Sequence, residues 1–409
     1  MSDFKTGNHG MLRQQNLAGI MHHLYENAPI SRIELSRLTG LNKATVSSLI
    51  NQLLENQFVH EVGAGEGKGT GRRTVLLDLN PARGFIVSSE IGVDFITVIC
   101  ADFTAEVIWR KQEPLPADLG ETVTLERLAT LMKEAAAVGS RQSNTFLGVS
   151  VAVPGLIDPH SGTLLFAPNL GWQDTPVAEI LRRSFNVPIF VDNEATLAAL
   201  GEQFFGAAEG YREVLYLSAG VGLGGGLVLD GDLYKGAGGF AAEFGHMTMD
   251  PQGEQCQCGN RGCWETQVSQ SALFRLVKNA LAAGQPSVLA KTVNTQPETL
   301  SIRAIVEAAR QGDDVALSAL KKVGQALGVG IASLVNVLNP GLVVFGGALS
   351  LASEFLLPVI AEELHRRALH WNEETTRIVI AKFGMDASVM GGVAKILQAV
   401  LANPAQAVG

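Results

Sequence analysis

The chain is predicted to be an α/β protein with an N-terminal winged helix-turn-helix, followed by a longer body in which strands and helices alternate. Three observations predict it. Apolar residues recur at helical spacing in three short segments before residue 55, with a four-residue turn between the second and third. A strand, a glycine-rich tip and a second strand follow. From Arg83 onward, apolar runs of strand length alternate with amphipathic segments.

In the first segment Leu17, Ile20, Met21 and Leu24 stand at i, i+3, i+4 and i+7, which predicts a helix over about 11–27. Ser31-Arg-Ile-Glu34 has the form of a capping box and opens a second helix that Gly40 ends. A third helix starts near Asn42 and buries Val46, Leu49, Ile50, Leu53 and Leu54. A helix that follows a short turn in this way can enter the DNA major groove. Its outer side carries Ala44, Thr45 and Ser48, with Asn42 and Lys43 in the first turn and Ser31 and Arg32 at the start of the helix before it. These are the candidate DNA-contacting residues, although small polar groups also suit a solvated face. Phe58–Val62, the glycine-rich Gly63–Gly71, Arg72, Arg73 and Thr74–Leu79 read as a wing whose arginines suit phosphate or minor-groove contact. An interdomain linker would need no strand on either side.

The body is predicted to hold strands at Phe85–Val87, Ile96–Ala101, Leu147–Val153, Ile189–Val191, Val214–Leu217 and Leu342–Phe345. Helical patterning covers Thr122–Ala137 and Thr175–Phe185. Three glycine clusters follow strands: Val153-Pro-Gly155, Ser218–Gly226 and Phe345-Gly-Gly347. Glycine in such a turn lets backbone N–H groups approach a ligand, often a phosphate, and equally makes a tight turn between strands. The nucleotide-binding pattern G-x-x-x-x-G-K-[ST] does not occur.

The 409 residues are 46% hydrophobic and 17% charged, which excludes a disordered or disulfide-stapled class. The net charge of -9 is unevenly spread: residues 1–83 hold 9 Lys and Arg against 7 Asp and Glu, the rest 22 against 33. Only the N-terminal part is a plausible nucleic-acid module, and its small excess calls for two copies on one site. The longest uncharged run, Val323 to Ser353, is broken by Asn336, Asn339 and Pro340, so a buried helix and strand are expected rather than membrane insertion. The start has no apolar signal-type run, and a cytoplasmic protein is expected, on the nucleoid when bound to an operator.

Of four cysteines, Cys100 falls in an apolar strand and reads as inert core. Cys256, Cys258 and Cys263 follow His246 in the spacing H-x9-C-x-C-x4-C. One imidazole and three thiolates fit a closed tetrahedral site, hence a structural zinc ion. Nearby Asn169, Asn193, Glu194, Glu243 and Glu265 offer fixed acceptors and amides of the kind that read sugar hydroxyls. His246 could serve both sites, one ring nitrogen on the metal and the other toward the ligand.

In order, Val153–Pro159, Ala167–Trp172, Asp192-Asn-Glu-Ala195, Ser218–Gly226, Glu243–His246 and the cysteine loop through Glu265 resemble the ROK family of repressors, open reading frames and sugar kinases. The N-terminal module resembles that of the family's repressors. The resemblance implies a two-lobed, actin-like sugar-kinase fold of the ribonuclease H-like type, with sugar in the cleft. Expected boundaries are 1–82 for the winged helix, 83–198 plus 388–409 for a smaller lobe, and 199–387 for a larger lobe with the zinc loop and an oligomerisation surface. It implies that Asn169, Asn193, Glu243, His246 and Glu265 bind the sugar, with Glu194 at the family's catalytic-base position.

The family's kinases begin the body with D-x-G-G-T, where this chain has Glu90-Ile-Gly-Val-Asp94. Val93 adds a side chain where backbone must approach ATP, and Asp94 adds a negative charge. Glu194 reaches further than aspartate, and Val221 replaces a threonine. The expectation is a transcriptional repressor without kinase activity, acting on operator DNA as a homodimer or tetramer under control of a monosaccharide. The stretch Ala167–Trp172 is similar to that of xylose-operon repressors, so xylose comes first, then glucose or an amino sugar. A sugar kinase is the alternative, and a protein partner docking near the zinc loop a third possibility.

Overall fold

The computed structural model describes residues 9–64, 75–116, 119–295 and 299–404. In the head, α1 (His9–Asn27) turns Leu17, Ile20, Met21 and Leu24 inward as expected, starting two residues earlier than predicted. A two-residue strand, β1 (Ile30–Ser31), precedes α2 (Arg32–Thr39). The capping box forms as predicted: the Glu34 N–H donates to Ser31 Oγ at 3.2 Å, and the Ser31 N–H to Glu34 Oε2 at 3.0 Å. Gly40 ends α2 in the left-handed region, and the Asn42 side chain accepts from the Thr45 N–H to open α3 (Lys43–Glu55). The strands β2 (Val59–Ala64) and β3 (Val75–Leu79) pair antiparallel, and β1 adds to the other edge of β3. This is a winged helix-turn-helix. The wing tip, with Arg72 and Arg73, lies outside the described residues.

The first half of the body holds β4 (Phe85–Ile91), β5 (Phe95–Asp102), β6 (Val107–Pro114), α4 (Glu121–Gly139) and β7 (Phe146–Val153). Next come a three-stranded flap of β8 (Leu156–Asp158), β9 (Thr163–Ala167) and β10 (Trp172–Thr175), then α5 (Val177–Arg182), β11 (Ile189–Asn193) and α6 (Glu194–Phe205). The main sheet runs β11-β7-β4-β5-β6, parallel from β11 to β4 and antiparallel beyond.

The second half opens with β12 (Val214–Ala219), β13 (Leu223–Leu229) and β14 (Asp232–Leu233), then a long loop with a short turn of helix at Phe244–His246. The helices α7 (Glu265–Val268), α8 (Gln270–Ala282), α9 (Ala290–Thr295), α10 (Ile302–Arg310) and α11 (Asp314–Leu338) follow. After them come β15 (Leu342–Gly346), α12 (Ser353–Arg367), α13 (His370–Thr375), β16 (Arg377–Ile380) and α14 (Ala387–Ala402). The second sheet runs β14-β13-β12-β15-β16. The Ser218–Gly226 cluster, read as a turn, is half strand: Gly224, Gly225 and Gly226 lie in β13. A Cβ on Gly226 would stand 2.3 Å from Ala199 Cβ, so bare backbone is what lets α6 press against this sheet.

The helix α11 and the stretch Gly384–Ala402 that contains α14 are long and apolar enough to cross a bilayer, but 61% and 67% of their apolar 18-residue spans is buried within the fold. Asn339, in the left-handed region, ends α11 where its break was expected. Between the two sheets α6 and α14 pack almost backbone to backbone. A Cβ on Gly391 would fall 1.7 Å from the Leu197 carbonyl oxygen. The core of the head is continuous with the body: Ile20, Leu24 and Phe58 join one apolar cluster with Phe103, Val393 and Leu397.

Candidate functional site

One open cavity of about 650 Å³ lies between the two sheets. Asn169, Asn193, Glu194, Glu243, His246 and Glu265, separated by nearly a hundred residues, all line it. The strand ends explain the convergence. Asn193 and Glu194 leave the end of β11, Asn169 caps the flap after β9, and the Glu243–His246 turn packs on β13. There a Cβ on Gly245 would meet the Leu223 carbonyl at 2.1 Å. Glu90, Val93, Asp94, Val221 and Gly347 line the same cavity, so the expected sugar and phosphate regions share one space.

Asn193 differs in detail from a simple ligand. Its Oδ1 accepts from the Ala195 and Thr196 N–H groups and its Nδ2 donates to the Gly155 carbonyl at 3.1 Å, so its amide fixes α6 to the turn after β7. Glu194, the first residue of α6, keeps one carboxylate oxygen buried with no hydrogen-bond partner. Burial first, then the nearby Glu90 and Glu243 carboxylates, pushes its pKa up to about 8. Glu90 is pushed up to about 7, again mainly by burial, against an opposing hydrogen bond donated by Ser388 Oγ. Burial also raises Glu243, with His246 pulling the other way. A neutral carboxyl in such a place can donate as well as accept, which suits a hydroxyl ligand.

His246, Cys256, Cys258 and Cys263 offer ligand atoms all within 4.8 Å of one another. The Cys258 and Cys263 sulfurs are 3.7 Å apart, and Cys256 Sγ is 3.8 Å from His246 Nδ1. Such a donor set can hold a tetrahedral metal ion. The second nitrogen, His246 Nε2, lies 3.9 Å from Glu243 Oε2 on the cavity side, so the ring faces both ways as expected. Cys256 Sγ donates to Glu265 Oε1 at 2.8 Å, and burial followed by this contact raises its pKa. Trp264, fully buried against α11 with its Nε1 donating to the Ala326 carbonyl, anchors the loop. Cys100 is buried in β5, where burial pushes its thiol up to about 12, as inert core should be.

On the head, Asn42, Lys43, Ala44 and Ser48 are exposed on α3, with Thr45 half-buried beside them. Arg32 pairs with Glu61 across the wing at 3.3 Å. Ser31 is a correction. It is 3% exposed and its hydroxyl is held in the capping box, so it positions α2 and presents nothing to DNA.

Sequence reasoning missed three features. Lys235, in the loop after β14, forms a close ion pair with Asp192 at the end of β11, joining the two halves at the cavity edge. Buried Glu202 accepts from the backbone N–H groups of Ala207, Lys382 and Phe383, pinning both strands of chain that cross between the halves. Tyr25 of α1 packs its ring 6.2 and 6.3 Å from those of Phe204 and Phe205. Asp192 lies within the Asp192–Ala195 motif and so was findable; Lys235, Glu202 and Tyr25 carry no local pattern.

A winged helix-turn-helix head joined to two sheets around an acidic cleft defines the class: a DNA-binding head on a sugar-kinase-like body. Residues 86–399 match the ROK family model, and the chain belongs to the ROK family. It is 37% identical over 399 residues to a putative xylose repressor of Caldicellulosiruptor sp., covering 97% of this chain and 99% of that one. The fold is similar to the crystal structure of a ROK family transcriptional regulator described as a homologue of the E. coli MLC protein. There the TM-score is 0.83 and the identity 29%, over 96% of this chain and 97% of the other. A ROK family glucokinase from Streptomyces griseus, solved with glucose and AMPPNP, is 30% identical with a TM-score of 0.67, covering 76% of this chain and 98% of its own.

Proposed function

We propose that this protein is a cytoplasmic, sugar-responsive repressor of carbohydrate-utilisation genes, with xylose or a related monosaccharide weakening its hold on an operator. The observation that carries this reading is the placement of α6. Its first turn, at Asn193 and Glu194, lines the cavity, and its last residues, Phe204 and Phe205, pack on Tyr25 of the DNA-binding head. A ligand that moves the start of a rigid helix moves its end, so sugar binding biases the setting of α3. The likeness to a relative named a xylose repressor supports the sugar class.

In this reading Asn169, Glu243, His246 and Glu265 hold hydroxyls, Glu194 supplies a buried carboxyl, and Asn193 positions α6. Lys43, Ala44, Thr45, Ser48 and Arg32 of a homodimer or tetramer face DNA, with Arg72 and Arg73 on the wing. The units are 1–82, 83–198 with 388–409, and 199–387, the last carrying the oligomerisation surface. His246, Cys256, Cys258 and Cys263 fit zinc, since the 3.7 Å sulfur separation is the edge of a tetrahedron with bonds of about 2.3 Å. Bound zinc supplies structural rigidity. As a thiolate, Cys256 no longer donates to Glu265, whose carboxylate is left to the cavity.

Kinase activity is absent in this reading, because Val93 and Asp94 line the region where phosphates would lie and Val221 stands in the facing turn. The likeness to a glucokinase keeps the alternative specific: a kinase would turn over ATP with a hexose or pentose in a coupled assay. The test of the leading reading selects an operator from random duplexes with the full-length protein and follows binding by fluorescence anisotropy with and without sugar. Sugar-dependent loss of affinity supports it, and ATP turnover with no DNA binding overturns it.

A further inference from the structure

The cavity is larger than its proposed contents. At about 650 Å³ it falls in the range that encloses drug-sized ligands, whereas a pentose has only about ten non-hydrogen atoms. Beyond the residues proposed to hold a sugar ring, the remainder of the lining includes the apolar Val93, Phe95, Val221 and Met385 and the amides of Gln112 and Gln270. On the first sheet Val93 and Phe95 lie at the β4–β5 turn, with β7 between β4 and the end of β11 that carries Asn193.

The charge of that remainder selects its occupant. Among the described lining residues the ionisable side chains are Glu90, Asp94, Glu113, Glu194, Glu243, Glu265 and His246, with no lysine or arginine. The lining carboxylate Glu113 already carries its own cations, Lys111 at 3.1 Å and Arg127 at 2.6 Å. Ser388, in the first turn of α14, donates its hydroxyl to the cleft's own Glu90. An anionic ligand, a nucleotide or a sugar phosphate, meets Asp94 and Glu113 there and no lysine or arginine in the described lining to pair with. A second neutral sugar ring fits, since its C–H face packs on apolar side chains while its edge hydroxyls reach amides. Glu194 lies close enough to both the Glu90 and the Glu243 carboxylates to be raised by each, and one of its oxygens is buried with no hydrogen-bond partner among the described residues.

We propose that the effector is a neutral disaccharide, one ring held by Asn169, Glu243 and Glu265, and the second laid against Val93 and Phe95. This deepens the sugar-responsive reading and rests on it. Isothermal titration of the full-length protein compares xylose with xylobiose and glucose with cellobiose, alongside glucose 6-phosphate and ATP. At least one disaccharide should bind roughly tenfold tighter than its own monomer, the gain from one or two added hydrogen bonds. Val93→Trp, which fills the second subsite, should erase that gain while leaving the monosaccharide unchanged. Gln270→Leu, a milder change, should reduce it. The inference is overturned if the monosaccharides bind equally well or better, if a phosphorylated ligand binds tightest, or if both variants keep the gain. Monosaccharide binding that releases the operator without any disaccharide gain overturns this inference alone. No binding by any saccharide removes the sugar reading with it.

Discussion

Replacing Tyr25 by leucine tests whether α6 carries the signal from cleft to head. The helix has 12 residues, about 18 Å of rise, and is held along its length by α14. Its Phe204 and Phe205 rings meet Tyr25 at 6.2 and 6.3 Å, and Phe205 also meets Phe383 near the crossing segment that Glu202 pins. Each aromatic pair is worth about 0.5–1.5 kcal/mol beyond area burial, so the two together can transmit about 1–3 kcal/mol. That corresponds to roughly a 5- to 150-fold change in operator affinity. In the Tyr25→Leu protein, anisotropy should show operator binding without sugar within a few-fold of wild type, and calorimetry an unchanged sugar affinity. The sugar-induced loss of operator affinity should shrink at least about fivefold. A double-mutant cycle with Phe204→Leu should find the double variant no worse than either single one. A folded Tyr25→Leu protein with the full wild-type response would refute the route through α6.

The cysteine cluster should bind about one zinc per chain by elemental analysis, and Cys263→Ser should lose it and melt lower; a metal-free wild type with unchanged melting would contradict the assignment. The raised pKa of Glu194, about 8, means the folded state holds a proton that the unfolded chain releases, so stability falls as pH rises from about 4.5 to 8. Glu194→Gln should therefore melt higher than wild type at pH 8 and converge with it towards pH 4. Lys43→Ala should lower the slope of log affinity against log salt by about 1, whereas Ser31→Ala, at a buried cap, should cost about 1 kcal/mol of stability and leave the slope unchanged. Gly391→Ala should destabilise by about 3 kcal/mol, since its Cβ would enter the Leu197 carbonyl.

Helix starts that carry their own local chemistry are legible in the sequence. The Ser31–Glu34 box and the Asn42 cap fix two helix starts through side chains that bond their own backbone, and each is where it was expected. The His246–Cys263 spacing does bring four donor atoms together, and the six residues named for the cleft do line one cavity, because such donors are rare together. Elements defined by their neighbours are not legible. β13 carries Gly224–Gly226, which have no side chains to alternate. β6, at the sheet edge, exposes Arg110 and Gln112 and looks like a polar loop, and β1 is two residues long. The misreading of Ser31 has the same origin: a polar residue near a recognition helix looks available until its hydroxyl is seen to be taken. The continuity of the head with the body, through Phe58, Phe103 and Leu397, is a tertiary fact with no sequence period.

The central claim is that occupancy of the cleft governs the grip of the head on DNA, and one titration tests it most directly. Operator affinity of the full-length protein is measured against rising saccharide, in wild type and in Glu243→Gln, which alters the cleft and leaves the head untouched. The account requires a saturable fall in affinity for wild type and a displaced or missing response in the variant. An operator affinity indifferent to every saccharide, or identical titrations for both proteins, would contradict it.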